Sequence, residues 1–185
     1  MIKYDYLIHD TISMKRTEDK LHQLLNNFSK ELPHFSDGRI DYSQSDIAPV
    51  ATVFVAFRNE FLLLKRSTDV STYKEKWNTV AGYLDDPKQT IFEKVLEELK
   101  EELNVTKKHI SSYSFGKSYQ FTDKDNGKTW MVHPTLVMLS QKPVITLNWE
   151  HSSFRWIIID EIYDYDTVPN LKESMKRAFS LAQKK

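Results

Sequence analysis

Glu98-Leu99-Lys100-Glu101-Glu102-Leu103-Asn104-Val105, sixteen residues downstream of Gly82, gathers carboxylates where a solvated helix gains little from them. At about 100° per residue a helix places Glu98, Glu101 and Glu102 within roughly a quarter-turn of arc. Ile91, Phe92, Val95, Leu96, Leu99 and Leu103 fill the neighbouring arc, so the acidic cluster borders the buried face. Like charges at i, i+3 and i+4 repel one another. A hard divalent cation that prefers oxygen ligands, Mg2+ or Mn2+, relieves that repulsion and brings Lewis acidity. The alternative is a solvated acidic face. Both ends of the helix are marked. Thr90-Ile91-Phe92-Glu93 reads as a capping box, and Asn104 suits the left-handed residue that closes a helix.

Upstream, Lys76 to Pro87 reads as a short strand running into a glycine-containing loop that holds Gly82. Strand, loop, acidic helix and Val105 together resemble the signature of the Nudix hydrolases. In that family the signature runs glycine, five residues, glutamate, seven residues, then Arg-Glu-apolar-x-Glu-Glu-x-Gly-apolar. Glu98, Leu99, Glu101, Glu102 and Val105 match its acidic end and Gly82 stands for the first glycine. Gln89 takes the first glutamate position, Glu97 the arginine and Asn104 the second glycine, with six residues between Gly82 and Gln89. In the family the first glutamate and the arginine pair, so an amide–carboxylate hydrogen bond between Gln89 and Glu97 is the expected substitute.

The resemblance implies an α/β fold, a Nudix-like mixed β-sheet sandwiched between α-helices, here with an N-terminal helical extension. It implies hydrolysis of a diphosphate linkage in a nucleoside diphosphate-X type substrate by water activated on a divalent metal, with Glu98, Glu101 and Glu102 as ligands. The base in the family is a signature glutamate or one on a later loop, so Glu102 and Glu150 are the candidates. Glu150 lies in Trp149-Glu150-His151-Ser152-Ser153-Phe154-Arg155-Trp156, which is similar to a late segment of many family members. The bland alternative for Glu150 is an exposed loop acid. Arg58, Lys65 and Arg66 flank an expected hairpin within reach of phosphates, although charges at strand ends are ordinarily solvated. Tyr119, Phe121 and Trp130 can stack on a base or simply fill the core.

With 26 basic and 26 acidic residues among 185, the chain has no basic surplus for a nucleic-acid polymer. It has no cysteine, so disulfides, thiolate metal sites and cysteine nucleophiles are excluded. No apolar run is long enough to span a membrane and no signal-peptide h-region opens the chain, which makes a cytoplasmic enzyme the expectation. Residues 1–48 are expected to form the extension and a connecting segment, and residues 49–185 the hydrolase domain. An amphipathic helix is expected over Ser13 to Leu32, covering the core or contacting a second copy in a homodimer. His34 to Pro49 reads as the connection, Val50 to Phe57 and Phe61 to Leu64 as a hairpin, and Tyr113 to Phe121 as one strand. Trp130 to Leu139 reads as an edge or bulged strand because of Pro134, Phe154 to Ile159 as the last strand, and Asn170 to Gln183 as a closing helix. Two other classes stay open: a Nudix-like module that senses a ligand without turnover, and a structural protein whose acidic helix is merely solvated.

Overall fold

β1 (Ile47–Phe57) contains Ala51-Thr52-Val53-Phe54-Val55-Ala56, apolar on both faces apart from Thr52, and it lies in the middle of the sheet. A computed structural model describes residues 3–180 of the chain. β1 turns at Arg58-Asn59 into β2 (Glu60–Arg66), with Ala56 opposite Phe61 and Arg58 in the left-handed region at φ 58°. Beyond this hairpin the strands part. β2 continues against β3 (Trp77–Asn78) and β8 (His151–Ile158), while β1 takes β4 (Val80–Tyr83) on the same side, Ala51 opposite Gly82. On its other side β1 runs parallel to β7 (Thr129–Leu139), which carries β5 (Ile110–Phe115) and β6 (Tyr119–Thr122) antiparallel on its far edge.

Helices cover both faces of this mixed sheet. On one side α1 (Lys3–Glu31) and α2 (Ile91–Leu103) bury Leu21, Leu25, Ile91, Val95, Leu99 and Leu103 against Val53, Val55, Leu62 and Leu64. On the other, α3 (Leu171–Phe179) packs Leu171, Met175 and Ala178 on Phe54, Ala56, Phe61 and Leu63. Each fully buried large aliphatic side chain contributes roughly 1.5–3 kcal/mol. α1 also reaches α2 directly, because the Glu18 carboxylate accepts the Ile91 N–H at 3.0 and 3.1 Å, a free donor in the first turn.

Several expectations need correction. The N-terminal helix begins at Lys3, ten residues before Ser13, and its leucine face is taken up by the core. The connecting segment ends before Ile47, where β1 begins, and it docks on the body: Ile40 and Tyr42 are buried, and the Ile40 N–H donates to the Asp85 carbonyl. Gly82 sits inside β4, not in a loop. The stretch Tyr113 to Phe121 is two strands, interrupted at Gly116, where a Cβ would come within 2.5 Å of the Arg177 carbonyl oxygen of α3. β7 is central and not an edge. Its proline is tolerated because the N and C=O of a strand residue point to one side, and the Pro134 carbonyl accepts from Gly116 in the gap between β5 and β6, where no ladder bond is required. The last strand begins at His151 instead of Phe154. The closing helix runs to Phe179, and the end of the expected span, residues 181–183, lies outside the described residues. Among the described residues no helix is long and apolar enough to cross a membrane.

His133 on β7 has an enclosed Nδ1 without a partner, and burial pushes its pKa from 6.5 down to about 4. A depressed imidazole favours the native state above the unfolded value and withdraws that contribution as pH falls. Wild-type urea midpoints should therefore drop between pH 6.5 and 4 more steeply than those of His133→Gln; parallel curves would exclude His133 as a source of acid sensitivity.

Candidate active site

α2 is built to hold its carboxylates still. The Thr90 hydroxyl accepts from Glu93 N at 3.1 Å while the Glu93 carboxylate accepts from Thr90 N at 2.8 Å, and Asn104 closes the helix at φ 57°, ψ 27°. Glu98 and Glu102 fall on the buried side of the helix and Glu101 on the exposed side. Glu98 rests against β4 at Gly82, where a Cβ would lie 1.9 Å from its Oε1, so the glycine is required by close approach and not by a turn. Glu102 Oε1 accepts the Ala81 N–H at 3.2 Å, fastening the helix to the same strand.

Lys94, 3 % exposed, lies one turn before Glu98. Its Nζ is 2.7 Å from Glu97 Oε1, 2.9 Å from Glu98 Oε1 and 3.8 Å from Asp85 Oδ1. Burial on its own would lower the lysine pKa, but Glu98, Glu97 and Asp85 together outweigh it and keep the ammonium charged. The Arg39 guanidinium adds a second cation 3.5 Å from Asp85 Oδ2. Gln89 Nε2 donates to Glu97 Oε2 at 2.7 Å, the amide–carboxylate pairing expected across the inserted residue. Burial raises the Glu98 pKa above its ordinary value even with Lys94 beside it.

Glu102 is 2 % exposed and its Oε2 has no hydrogen-bond partner. Burial, compounded by Glu98 and Glu150, raises its pKa well above the ordinary glutamate value. The nearest imidazole, His151 Nε2 at 3.6 Å, is itself pushed down to about 4 by burial and by Arg66, so it offers no positive charge near neutral pH. Arg66 arrives beside this group through a register shift between Lys65 and Arg66 that sets Arg66 opposite His151. Its Nε donates to the Thr72 carbonyl at 3.0 Å. Glu150, half-buried just before β8, is fixed by its own carbonyl accepting from Ser67 N at 2.7 Å.

These elements surround a cavity of about 430 Å3 lined by residues of both α2 and α3. Glu98, Glu101, Glu150 and Arg66 line it, with Arg39, Asp85 and Lys94 at the same end, and Phe121, Trp130 and Tyr83 among its aromatic walls. Three of the expected substrate-contacting residues are elsewhere. Arg58 is exposed at the hairpin, its guanidinium 5.1 Å from the Phe57 ring centre. Lys65 points to Glu75 at 3.9 Å, and the Tyr119 hydroxyl is engaged by Ser174 Oγ at 2.8 Å on α3. Strand alternation and the register shift account for Lys65 and Arg66 parting company. Lys94, Asp85, Arg39 and Asp123 escaped the sequence reading. Only Lys94 carried a readable signal, a lysine set four residues before Glu98.

Among the described residues no three acidic or imidazole groups already converge as a cation site. The donor set nevertheless fits a hard divalent ion: Glu102 has a buried carboxylate oxygen with no partner, Glu98 lies one turn away, and Glu101 is exposed beside them.

The NUDIX domain model matches residues 47–179. The chain belongs to the Nudix family and is a phosphohydrolase of that type. No curated protein matches it in sequence. In fold it is similar to an Ap4A hydrolase of C. elegans, at 19% identity over 74% of this chain and 98% of that one, with a TM-score of 0.58. A MutT protein from Methanosarcina mazei Go1 is similar at 22% identity over 75% and 96%, TM-score 0.60. The NUDIX domain of Shewanella oneidensis NrtR, solved with ADP ribose, is similar at 12% identity over 73% and 88%, TM-score 0.60.

A methyl group at position 82 would meet the Glu98 carboxyl and its Cγ, so the side chain must move and its contact with Lys94 be disturbed. Gly82→Ala should thus lower thermal stability and also Mn2+ affinity, read by calorimetry; unchanged affinity would mean that Glu98 need not rest against β4. Lys94→Met leaves the Glu98 carboxylate without its cation, and breaking a buried pair costs about 3–5 kcal/mol. Denaturant unfolding in chelator should register that loss, whereas a cost below about 1 kcal/mol would mark the ammonium as dispensable.

Proposed function

We propose that this chain is a divalent-cation-dependent hydrolase of a diphosphate linkage in a small nucleoside diphosphate-X type molecule, with Glu98, Glu101 and Glu102 holding Mg2+ or Mn2+. The observation that carries the reading is one cavity bordered by Glu98, Glu101, Glu150 and Arg66, with the unpartnered carboxylate oxygen of Glu102 buried behind it. The Ap4A and ADP-ribose named for two of the similar structures support a nucleotide diphosphate as the substrate class.

When bound, the cation neutralises diphosphate charge and lowers the pKa of a coordinated water. Arg66 is the cavity's phosphate ligand, since Lys94 is engaged by Glu97 and Glu98 and Arg39 by Asp37 and Asp85. Arg66 is oriented through the Thr72 carbonyl, and its planar fork suits two phosphoryl oxygens. Glu150 is the better base candidate. It is half-buried on the cavity wall, whereas Glu102 does not line the cavity and is fastened to β4 through the Ala81 N–H. Fixed by the Ser67 contact, Glu150 takes the proton from the attacking water, and the departing phosphate oxygen is met by Arg66. The absence of a basic surplus supports a small molecule over a nucleic-acid polymer.

The hold of Lys94 on Glu98 favours one alternative, a ligand-sensing module with weak turnover. A Mg2+-dependent phosphate-release screen over nucleoside diphosphate sugars, dinucleoside polyphosphates and nucleoside triphosphates separates the two. Turnover is the expected result; Mn2+ binding without turnover on any of them would establish the sensor. Glu101→Gln and Glu102→Gln each remove an anionic oxygen while keeping shape, so both should lower kcat by roughly two orders of magnitude or more with unchanged circular dichroism. Near-normal turnover in both variants would overturn the metal assignment.

A further inference from the structure

Asp123, at the end of β6, is 4 % exposed and lines the cavity together with Phe121, Trp130 and Val132. Its Oδ1 accepts the Asp125 N–H at 3.1 Å and shapes the turn into β7. Its Oδ2 is enclosed and has no hydrogen-bond partner. The turn alone does not explain a carboxylate here, because asparagine would supply the same Oδ1 acceptor without burying a charge. Nor is the charge met by Lys128, whose Nζ donates to the Tyr42 carbonyl at 2.9 Å and lies 5.8 Å from the Trp130 ring centre.

The cavity that Asp123 lines has aromatic walls. Phe121 pairs across the ladder with Trp130, and the Trp130 and Tyr83 rings lie 5.9 Å apart at 42°. A flat heteroaromatic ring is the ligand such walls favour. The glutamates and Arg66 line the same cavity, so a molecule joining a diphosphate to an aromatic base can address both groups of residues.

We infer that Asp123 is a specificity residue whose free Oδ2 accepts a hydrogen bond from the exocyclic amino group of a nucleotide base, so that the site selects amino-substituted bases, adenine foremost, over their oxo counterparts. This rests on the nucleoside diphosphate reading above and narrows it. One oxygen is committed to Asp125 N, which leaves one acceptor for one N–H donor. A carbonyl in place of that amine would set two acceptors against each other and leave both unpaired.

Calorimetric titration with non-hydrolysable α,β-methylene ADP and the corresponding inosine compound, in Mg2+, tests the assignment. Wild-type protein should bind the amino form about 10- to 100-fold more tightly. Asp123→Asn keeps the Oδ1 acceptor for Asp125 N and replaces Oδ2 by an NH2 donor, so it should reverse the preference toward the oxo form with an unchanged melting curve. Equal wild-type affinities, no wild-type binding of either compound, or an undiminished amino preference in Asp123→Asn would each overturn the inference. The wild-type comparison decides alone if the variant does not fold. The two readings fail separately: turnover in the phosphate-release screen without base discrimination removes only the Asp123 assignment, and discrimination without turnover removes only the hydrolase.

Discussion

Lys94 sets the arrangement of this molecule's chemistry. Its ammonium, buried between α2 and Asp85 two residues beyond β4, touches Glu97 and Glu98 and lies 3.8 Å from Asp85. A buried charge must be matched from several directions, so the helix cannot slide or rotate on β4 without stranding an ion. The position of Glu98 against Gly82, the anchoring of Glu102 on Ala81 and the approach of Arg39 to Asp85 all depend on that placement. The same contact leaves the three signature glutamates inequivalent. Glu98 is engaged by an internal cation, Glu102 is buried with one oxygen unpartnered, and Glu101 faces outward. Three matching letters in the sequence thus correspond to three electrostatic environments.

What could be read in advance follows from the range of the forces involved. α2 was legible to the residue, because capping at Thr90 and closure at Asn104 are written within four residues of each end. The β1–β2 hairpin was legible because buried parallel and hairpin strands show as unbroken apolar runs. Non-local facts were not. Pro134 argued for an edge or bulged strand, yet it occupies the centre of the sheet because β5 and β6 leave a gap opposite it, and that gap is set by the approach of α3 at Gly116.

The candidate site divides in the same way. Spacing along one helix brought Glu98, Glu101 and Glu102 together, and Glu150 and Arg66 reach the same cavity from separate strands. Arg58 and Lys65 stand out as charges flanking the hairpin and Tyr119 as an aromatic able to stack on a base, yet none of them lines the cavity: Arg58 lies against Phe57, Lys65 points to Glu75 and the Tyr119 hydroxyl is engaged by Ser174. Asp123 looked like one more turn residue among Asp123-Lys124-Asp125-Asn126-Gly127. Only burial distinguishes it from Asp125, which is exposed two residues on.

The parallel ladder between β1 and β7 has a consequence for how the chain reaches this state. Ile47 faces Thr129 and Ala56 faces Met138, a sequence separation of 82 residues at every step of the ladder. No turn can nucleate such pairing, so the whole intervening chain, α2 included, must be brought into a closed loop before the first pair contributes anything. Once that cost is met the following pairs form at little further loss of chain freedom. Sheet closure, seating of the acidic helix and burial of its ions are thereby bound into one late cooperative event, and a chain that has lost the central ladder has lost the enclosure of its carboxylates along with it.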